Sequence, residues 1–165
     1  RSVKDPFCNT DNKQILKQVL NDYDLETHDF LEWTEELTQE EIHNRITAHL
    51  KTDLGAILDM EPVEKGPGGH ISKLRIVGKD KEFIVGKELE IRRMLCTSTL
   101  KSSAFTIEVK DIEDGIPGRF VLHGRGWGHG VGLCQIGAAV MGEQGYGYKQ
   151  ILKHYYTDIQ IKRLS

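Results

Sequence analysis

Glycine at every second position from Gly124 to Gly132 constrains this 165-residue chain more than any other feature. Arg125, Trp127, His129 and Val131 fill the positions between them. If the run is extended, the alternation of side chains across a strand puts the glycines on one face and Arg, Trp, His and Val on the other. Glycine weakens an extended segment, so a bare face marks a bend or a place where a ligand or another backbone comes very close. Leu133, Ile136 and Val140 then have helical spacing, and Gly145 stands where it can end a helix over 133–144. His129, Cys134 and Gln135 are thus expected where a glycine-rich loop meets a helix N-terminus. Packing alone gives no reason for arginine, tryptophan and histidine to share a face, so the stretch reads as a binding loop.

The familiar phosphate loops do not fit it. The dinucleotide fingerprint G-x-G-x-x-G fails in every register at its third glycine, where His129, Val131, Leu133 or Gln135 stands, and no Lys-Ser or Lys-Thr follows to make a P-loop. What the stretch does resemble is longer. GWGHGVGLCQIGAAVMGEQGYGYKQILKHYY is similar to the closing motif of the family of stage II sporulation protein D and the amidase enhancer LytB, G-H-G-V-G-[ML]-S-Q-x-G-A followed by a glycine and a later I-L-x-x-Y-Y. Cys134 stands where that family usually has serine.

The resemblance carries several implications. It implies an α+β fold of the SpoIID kind and lytic transglycosylase activity on peptidoglycan glycan strands freed of stem peptides. It implies that the catalytic glutamate lies in an N-terminal segment ahead of a C-G-G stretch, neither of which has a counterpart here, so that residues 1–165 are the C-terminal portion of a SpoIID/LytB-like domain. This chain alone would then lack the catalytic acid. Arg92, Leu95 and Ser102-Ser103-Ala104-Phe105 resemble a segment of the family in which an arginine precedes a leucine and a Ser-x-x-Phe strand. The implied setting is extracytoplasmic, reached as part of a longer exported precursor. The implied partners are glycan strands, the N-terminal fragment of the same protein and a cell-wall amidase.

Composition agrees with a soluble globular protein, at 38% hydrophobic and 28% charged residues. No apolar run approaches the ~18 residues that span a bilayer. A formal charge of -3 with interspersed signs argues against nucleic acid as a partner. Cys8, Cys96 and Cys134 cannot all pair within the chain, and their spacing matches no zinc module, so no cofactor is expected.

Periodicity outlines an α+β chain with a small antiparallel sheet and several packed helices. An extended lead-in over 1–7 precedes an amphipathic helix over 11–23, capped by Asp11 or Asn12. A strand over 30–37 leads into the capping box Thr38-Gln39-Glu40-Glu41 and a helix with the stripe Ile42, Ile46, Leu50. His43 and His49 fall on different faces of that helix and read as solvated. Strands over 56–65 and 70–78 flank the turn Gly66-Pro67-Gly68-Gly69, and a further strand over 81–85 precedes a helix from Gly86 to Leu95. Strands over 105–109, 120–123 and 159–161 complete the pattern, with a helix over 148–155 before the last.

Cleaving a glycosidic bond needs a carboxylic acid to protonate the leaving oxygen. Glu88, Glu90 and Glu143 are the available carboxylates, and each reads as an ordinary solvated residue on a helix face, as does Arg92 when the resemblance is set aside. The candidate glycan-contacting residues are His129 and Gln135, with Trp127, Gly128, Gly130 and Gly132 as the wall of the groove and Arg92 and Ser102 added by the resemblance. Three other readings stay open. A non-catalytic glycan-binding module could stimulate another wall hydrolase. A cysteine hydrolase could use Cys134, its thiol acidified by the helix dipole and by His129. A zinc ion could sit on His123, His129 and Cys134.

Overall fold

The computed structural model describes residues 7, 10, 12–19, 32–66 and 68–162, and the fold is α+β. These residues form two compact units. The first holds 32–66 and 68–130, the second residues 7, 10, 12–19 and 131–162. Among the described residues no helix is long and apolar enough to cross a membrane.

In the first unit, β1 (Glu32–Thr38) runs directly into α2 (Gln39–Leu50). The reason is local. Thr38 accepts the Glu41 amide while the Glu41 carboxylate accepts the Thr38 amide, the reciprocal pair that satisfies two orphan donors at a helix start. Ile42 and Ile46 are fully buried and Leu50 packs against the same core. His43 and His49 are partly covered and bond Asp53 at 2.9 Å and Glu90 at 3.3 Å.

Strands β2 (Ile57–Lys65), β3 (Ile71–Gly78) and β4 (Glu82–Gly86) make one antiparallel sheet, and α3 (Glu88–Leu95) follows. Between β2 and β3 the Gly69 amide donates to the Gly66 carbonyl at 2.9 Å, a turn as the glycines suggest, with Gly69 at φ 83. The second antiparallel sheet has the order β1-β6-β5, from β5 (Phe105–Glu113) and β6 (Ile116–Arg125). Instead of one small sheet there are thus two, because β1 pairs with a strand that follows it by more than 80 residues, from Glu32↔Arg125 to Thr38↔Arg119. Gln39 ties the sheets together, its side-chain amide donating to the Ile57 and Pro117 carbonyls while its oxygen accepts the Ile57 amide.

The core of this unit joins Trp33 and Leu37 of β1, Ile42 and Ile46 of α2, Leu74 and Ile76 of β3, Ile91, Met94 and Leu95 of α3, and Phe120 and Leu122 of β6. Each such side chain stabilises the fold by roughly 1.5–3 kcal/mol through area removed from water.

In the second unit α1 (Lys13–Val19) packs against α4 (Gln135–Glu143), which also meets α5 (Tyr148–Tyr155). Asn12 caps α1 by accepting the Gln14 amide at 3.0 Å. The expected extension of this helix to Tyr23, the lead-in over 1–6 and the start of the strand at 30–31 lie outside the described residues. The strand expected over 159–161 is not formed. A strand needs a neighbour for its backbone groups, and none of the described residues pairs with it.

Candidate functional site

The glycine run is not an extended segment beyond Arg125. Gly126, Gly128, Gly130 and Gly132 have φ of 70, 110, 68 and 85, the left-handed region that only glycine enters freely. The expectation of one bare face and one functional face therefore fails, because each glycine turns the chain instead of continuing a pleat. What the turns produce is a loop that leaves Trp127 and His129 exposed, Trp127 at 55%. Gly124, still in β6, has a different role. It lies opposite Trp33 and Phe105 in the two neighbouring strands, and a Cβ there would overlap the Trp33 indole. The indole N–H donates to the Gly126 carbonyl at 3.2 Å.

Ser102 and Arg92 hold this loop from beneath. Ser102 is fully buried, donates its hydroxyl to the Arg125 carbonyl at 2.6 Å and accepts the Ala104 amide. Its backbone pairs with Gly128, whose amide donates to the Lys101 carbonyl at 2.8 Å. The Arg92 guanidinium donates to the Leu100 and Lys101 carbonyls and to the Glu88 carboxylate at 3.0 Å. Its side chain is 11% exposed and that of Glu88 18%, so neither is the solvated helix residue that the sequence suggests. Arg93 and Glu90, at 56% and 39%, do fit that description.

A residue the sequence did not single out stands at the centre of this arrangement. His70 ends the 66–69 turn, and its Nδ1 is buried without a hydrogen-bond partner among the described residues. A Cβ on Gly130 would overlap the His70 ring, so the loop's closest approach is to this imidazole. Burial holds the His70 pKa below its ordinary value; the charge of Glu88 opposes that, while Arg125, Arg92 and His129 reinforce it. The turn Gly68-Gly69-His70 read only as a hairpin signal because a turn's sequence does not reveal what is packed against it.

The second unit holds the rest of the candidates. Cys134 is the N-cap of α4, its sulfur accepting the Gly137 amide at 3.4 Å, and Gln135 is the exposed first residue of that helix. The helix starts two residues later than expected because Cys134 caps it. Gly145, at φ 85, closes it as expected. Beside Gly132 lies the Tyr156 hydroxyl, 3.5 Å from where a Cβ would stand. His154 meets Phe7 and Tyr155 edge-on, at ring-centroid distances of 5.3 and 4.7 Å.

Among the described residues Cys134 is disulfide-bonded and Cys96 is a free thiol. A disulfide sulfur has no proton to lose, so the cysteine-hydrolase reading falls, and with it the thiolate of the proposed zinc trio. His123 bonds the Glu108 carboxylate at 3.0 Å. Cys134→Ser is expected to lower stability by about 2–4 kcal/mol, a melting shift on the order of 10 °C. Melting with and without a reducing agent checks this: reduced wild type and the variant should coincide.

Comparison with known proteins follows the same outline. The chain is 31% identical over 134 residues to an uncharacterized protein of Brachyspira hyodysenteriae (strain ATCC 49526 / WA1), a match covering 78% of this chain and 32% of that protein. It is 37% identical over 67 residues to a protein named amidase enhancer from Bacillus subtilis (strain 168), 41% of this chain and 9% of the relative. It is 46% identical over 44 residues to stage II sporulation protein D of Bacillus amyloliquefaciens, 27% and 13% respectively. The chain spans less than a third of the length of these relatives. The two Bacillus names support a SpoIID/LytB-like relationship and suggest a cell-wall-related role. Residues 1–132 match the family described as Domain of unknown function (DUF8618), and the chain belongs to that family.

Proposed function

We propose that this chain is the glycan-holding portion of an extracytoplasmic cell-wall protein which, with a glutamate-bearing segment outside these residues, cleaves stem-peptide-free peptidoglycan as a lytic transglycosylase. The observation that carries the reading is the loop of left-handed glycines, which exposes Trp127 and His129 on a base tied down by Ser102 and Arg92. A flat indole suits stacking under a sugar, and imidazole and turned-out backbone amides suit its hydroxyls and acetamido group. His129 and Gln135 are the residues proposed to touch the glycan. Arg92 and Ser102 act as positioning residues.

In the proposed reaction a carboxylic acid protonates the departing glycosidic oxygen, and the carboxylate so formed takes the proton of the sugar's own 6-hydroxyl as that oxygen attacks the anomeric carbon. One acid suffices and no cofactor is needed. Glu88 does not suit that role, since its carboxylate is already engaged by the Arg92 guanidinium at 3.0 Å. That observation also supports the second reading, a non-catalytic module that binds glycan and stimulates a cell-wall amidase, as the name of one relative suggests.

Incubating the full-length protein with purified stem-peptide-free glycan separates the two. Fragments with anhydro-sugar ends are expected, and the isolated 165-residue chain should release none. Binding without cleavage, joined to faster turnover by an added wall amidase, would favour the second reading; no binding at all would overturn both. His129→Ala and Gln135→Ala should each weaken glycan binding by roughly 2- to 13-fold without changing the melting temperature, the loss of one hydrogen bond.

A further inference from the structure

The exposed basic residues of the two sheets mostly have carboxylate partners. Arg75 pairs with Glu61 and Glu82, Lys73 with Glu64, Lys110 with Glu108, and Arg119 with Asp111 and Glu36. Lys65 and Arg125 differ. Both are exposed, both line one open cleft of about 530 Å3 in the first unit, and neither has an ion-pair partner among the described residues. Glu32 lies opposite Arg125 in the β1–β6 register yet does not pair with it.

The place of Arg125 is set from two sides. Its backbone amide donates to the Ala104 carbonyl and its own carbonyl accepts the Ser102 hydroxyl. Gly69, at φ 83, leaves room for the guanidinium, since a Cβ there would come within 3.0 Å of Nη2. Beside these cations Thr34, His123 and Thr106 form one row across β1, β6 and β5, all three exposed and lining the same cleft. Three strands at their usual spacing make that row about 10 Å long.

Two unpaired cations next to a row of hydroxyl and imidazole groups fit a ligand that is anionic at one point and hydroxylated beside it. A planar carboxylate matches the fork of an arginine, and a lysine adds a second positive charge. We infer that this cleft is a subsite for the carboxylate of an acidic sugar within a glycan, with Arg125 and Lys65 on the carboxylate and Thr34 and Thr106 on the neighbouring hydroxyls. Resting on the function proposed above, the sugar is muramic acid, whose lactyl carboxylate is free once the stem peptide has been removed. The subsite thereby distinguishes a stripped strand from one whose carboxyl groups are still in amide linkage.

The test is a titration of the full-length protein with two glycans of equal length, stem-peptide-free peptidoglycan strands and a chitin oligosaccharide, which lacks the carboxylate. Wild type is expected to prefer the acidic glycan. Arg125→Gln and Lys65→Gln should each lower the ratio of acidic to neutral affinity by about 5-fold, and raising the salt should shrink the wild-type ratio. Equal affinity of wild type for the two glycans would overturn the subsite while leaving the glycan-holding loop in place. So would an unchanged ratio in both variants, because a merely structural Arg125 would affect the two ligands alike. Binding to neither glycan would sink the glycan reading itself, and the subsite with it.

Discussion

Arg92→Met is expected to destabilise the first unit by about 3 kcal/mol, lowering the melting temperature by roughly 6–12 °C, and to weaken glycan binding with it. Methionine keeps most of the apolar stem, so the effect isolates the guanidinium. Three groups lose their donor at once, the Leu100 and Lys101 carbonyls and the Glu88 carboxylate. At 11% and 18% exposure the ion pair is mostly screened from water, and removing one partner leaves the other mostly covered and unpaired. The remaining exposure places the figure at the lower end of what a buried pair costs. Binding follows because the Lys101 carbonyl also receives the Gly128 amide, so the loop's anchor moves with it. Replacing Glu88 by leucine in the same protein should restore part of the stability, since the orphaned carboxylate goes too. A single variant melting within a degree of wild type would show that Arg92 is a solvated helix residue after all.

Why the sequence pointed to a solvated arginine here is instructive. Helical spacing places Arg92 four residues after Glu88, and an exposed pair at that spacing contributes only a few tenths of a kcal/mol. Whether the pair is exposed depends on the loop that crosses it, and nothing local in residues 96–102 specifies that path. The capping box at Thr38 and the glycine turn before β3 were readable because their hydrogen bonds close within a few residues. Pairing of β1 with β6 was not, since a strand's periodicity says which face is buried and not which strand lies beside it. The glycine run shows the same limit in reverse. Alternation suggested a pleat, but four residues in the left-handed region make a coil with the same spacing. The disulfide at Cys134 was hidden by an odd cysteine count, which tells how many thiols remain and not which.

Gly124 and Gly130 belong to one run and are expected to respond to substitution in opposite ways. Gly124 sits in a β-strand at a backbone conformation any residue can adopt, so alanine adds no backbone strain there. Its Cβ would instead overlap the Trp33 indole, which is 7% exposed, faces Phe105 at 6.2 Å and is held by its bond to the Gly126 carbonyl. Overpacking of this kind costs about 1–3 kcal/mol, so Gly124→Ala should melt lower while the folded fraction retains near-normal glycan affinity. Gly130 is exposed at φ 68, where a β-branched residue is strained by about 1–2 kcal/mol and where the new Cβ would also meet the His70 ring. An exposed loop can relieve that overlap by moving, which limits the loss of stability but shifts His129 from the position in which it is proposed to touch the glycan. Gly130→Val should therefore weaken glycan binding by more than the roughly 13-fold upper limit for Gln135→Ala, with a smaller melting shift than Gly124→Ala. Both quantities come from the same samples, a thermal melt followed by a titration with stem-peptide-free glycan below the transition. Wild-type affinity in folded Gly130→Val would mean that the left-handed glycines only let the chain turn past His70 and that the glycan is held elsewhere.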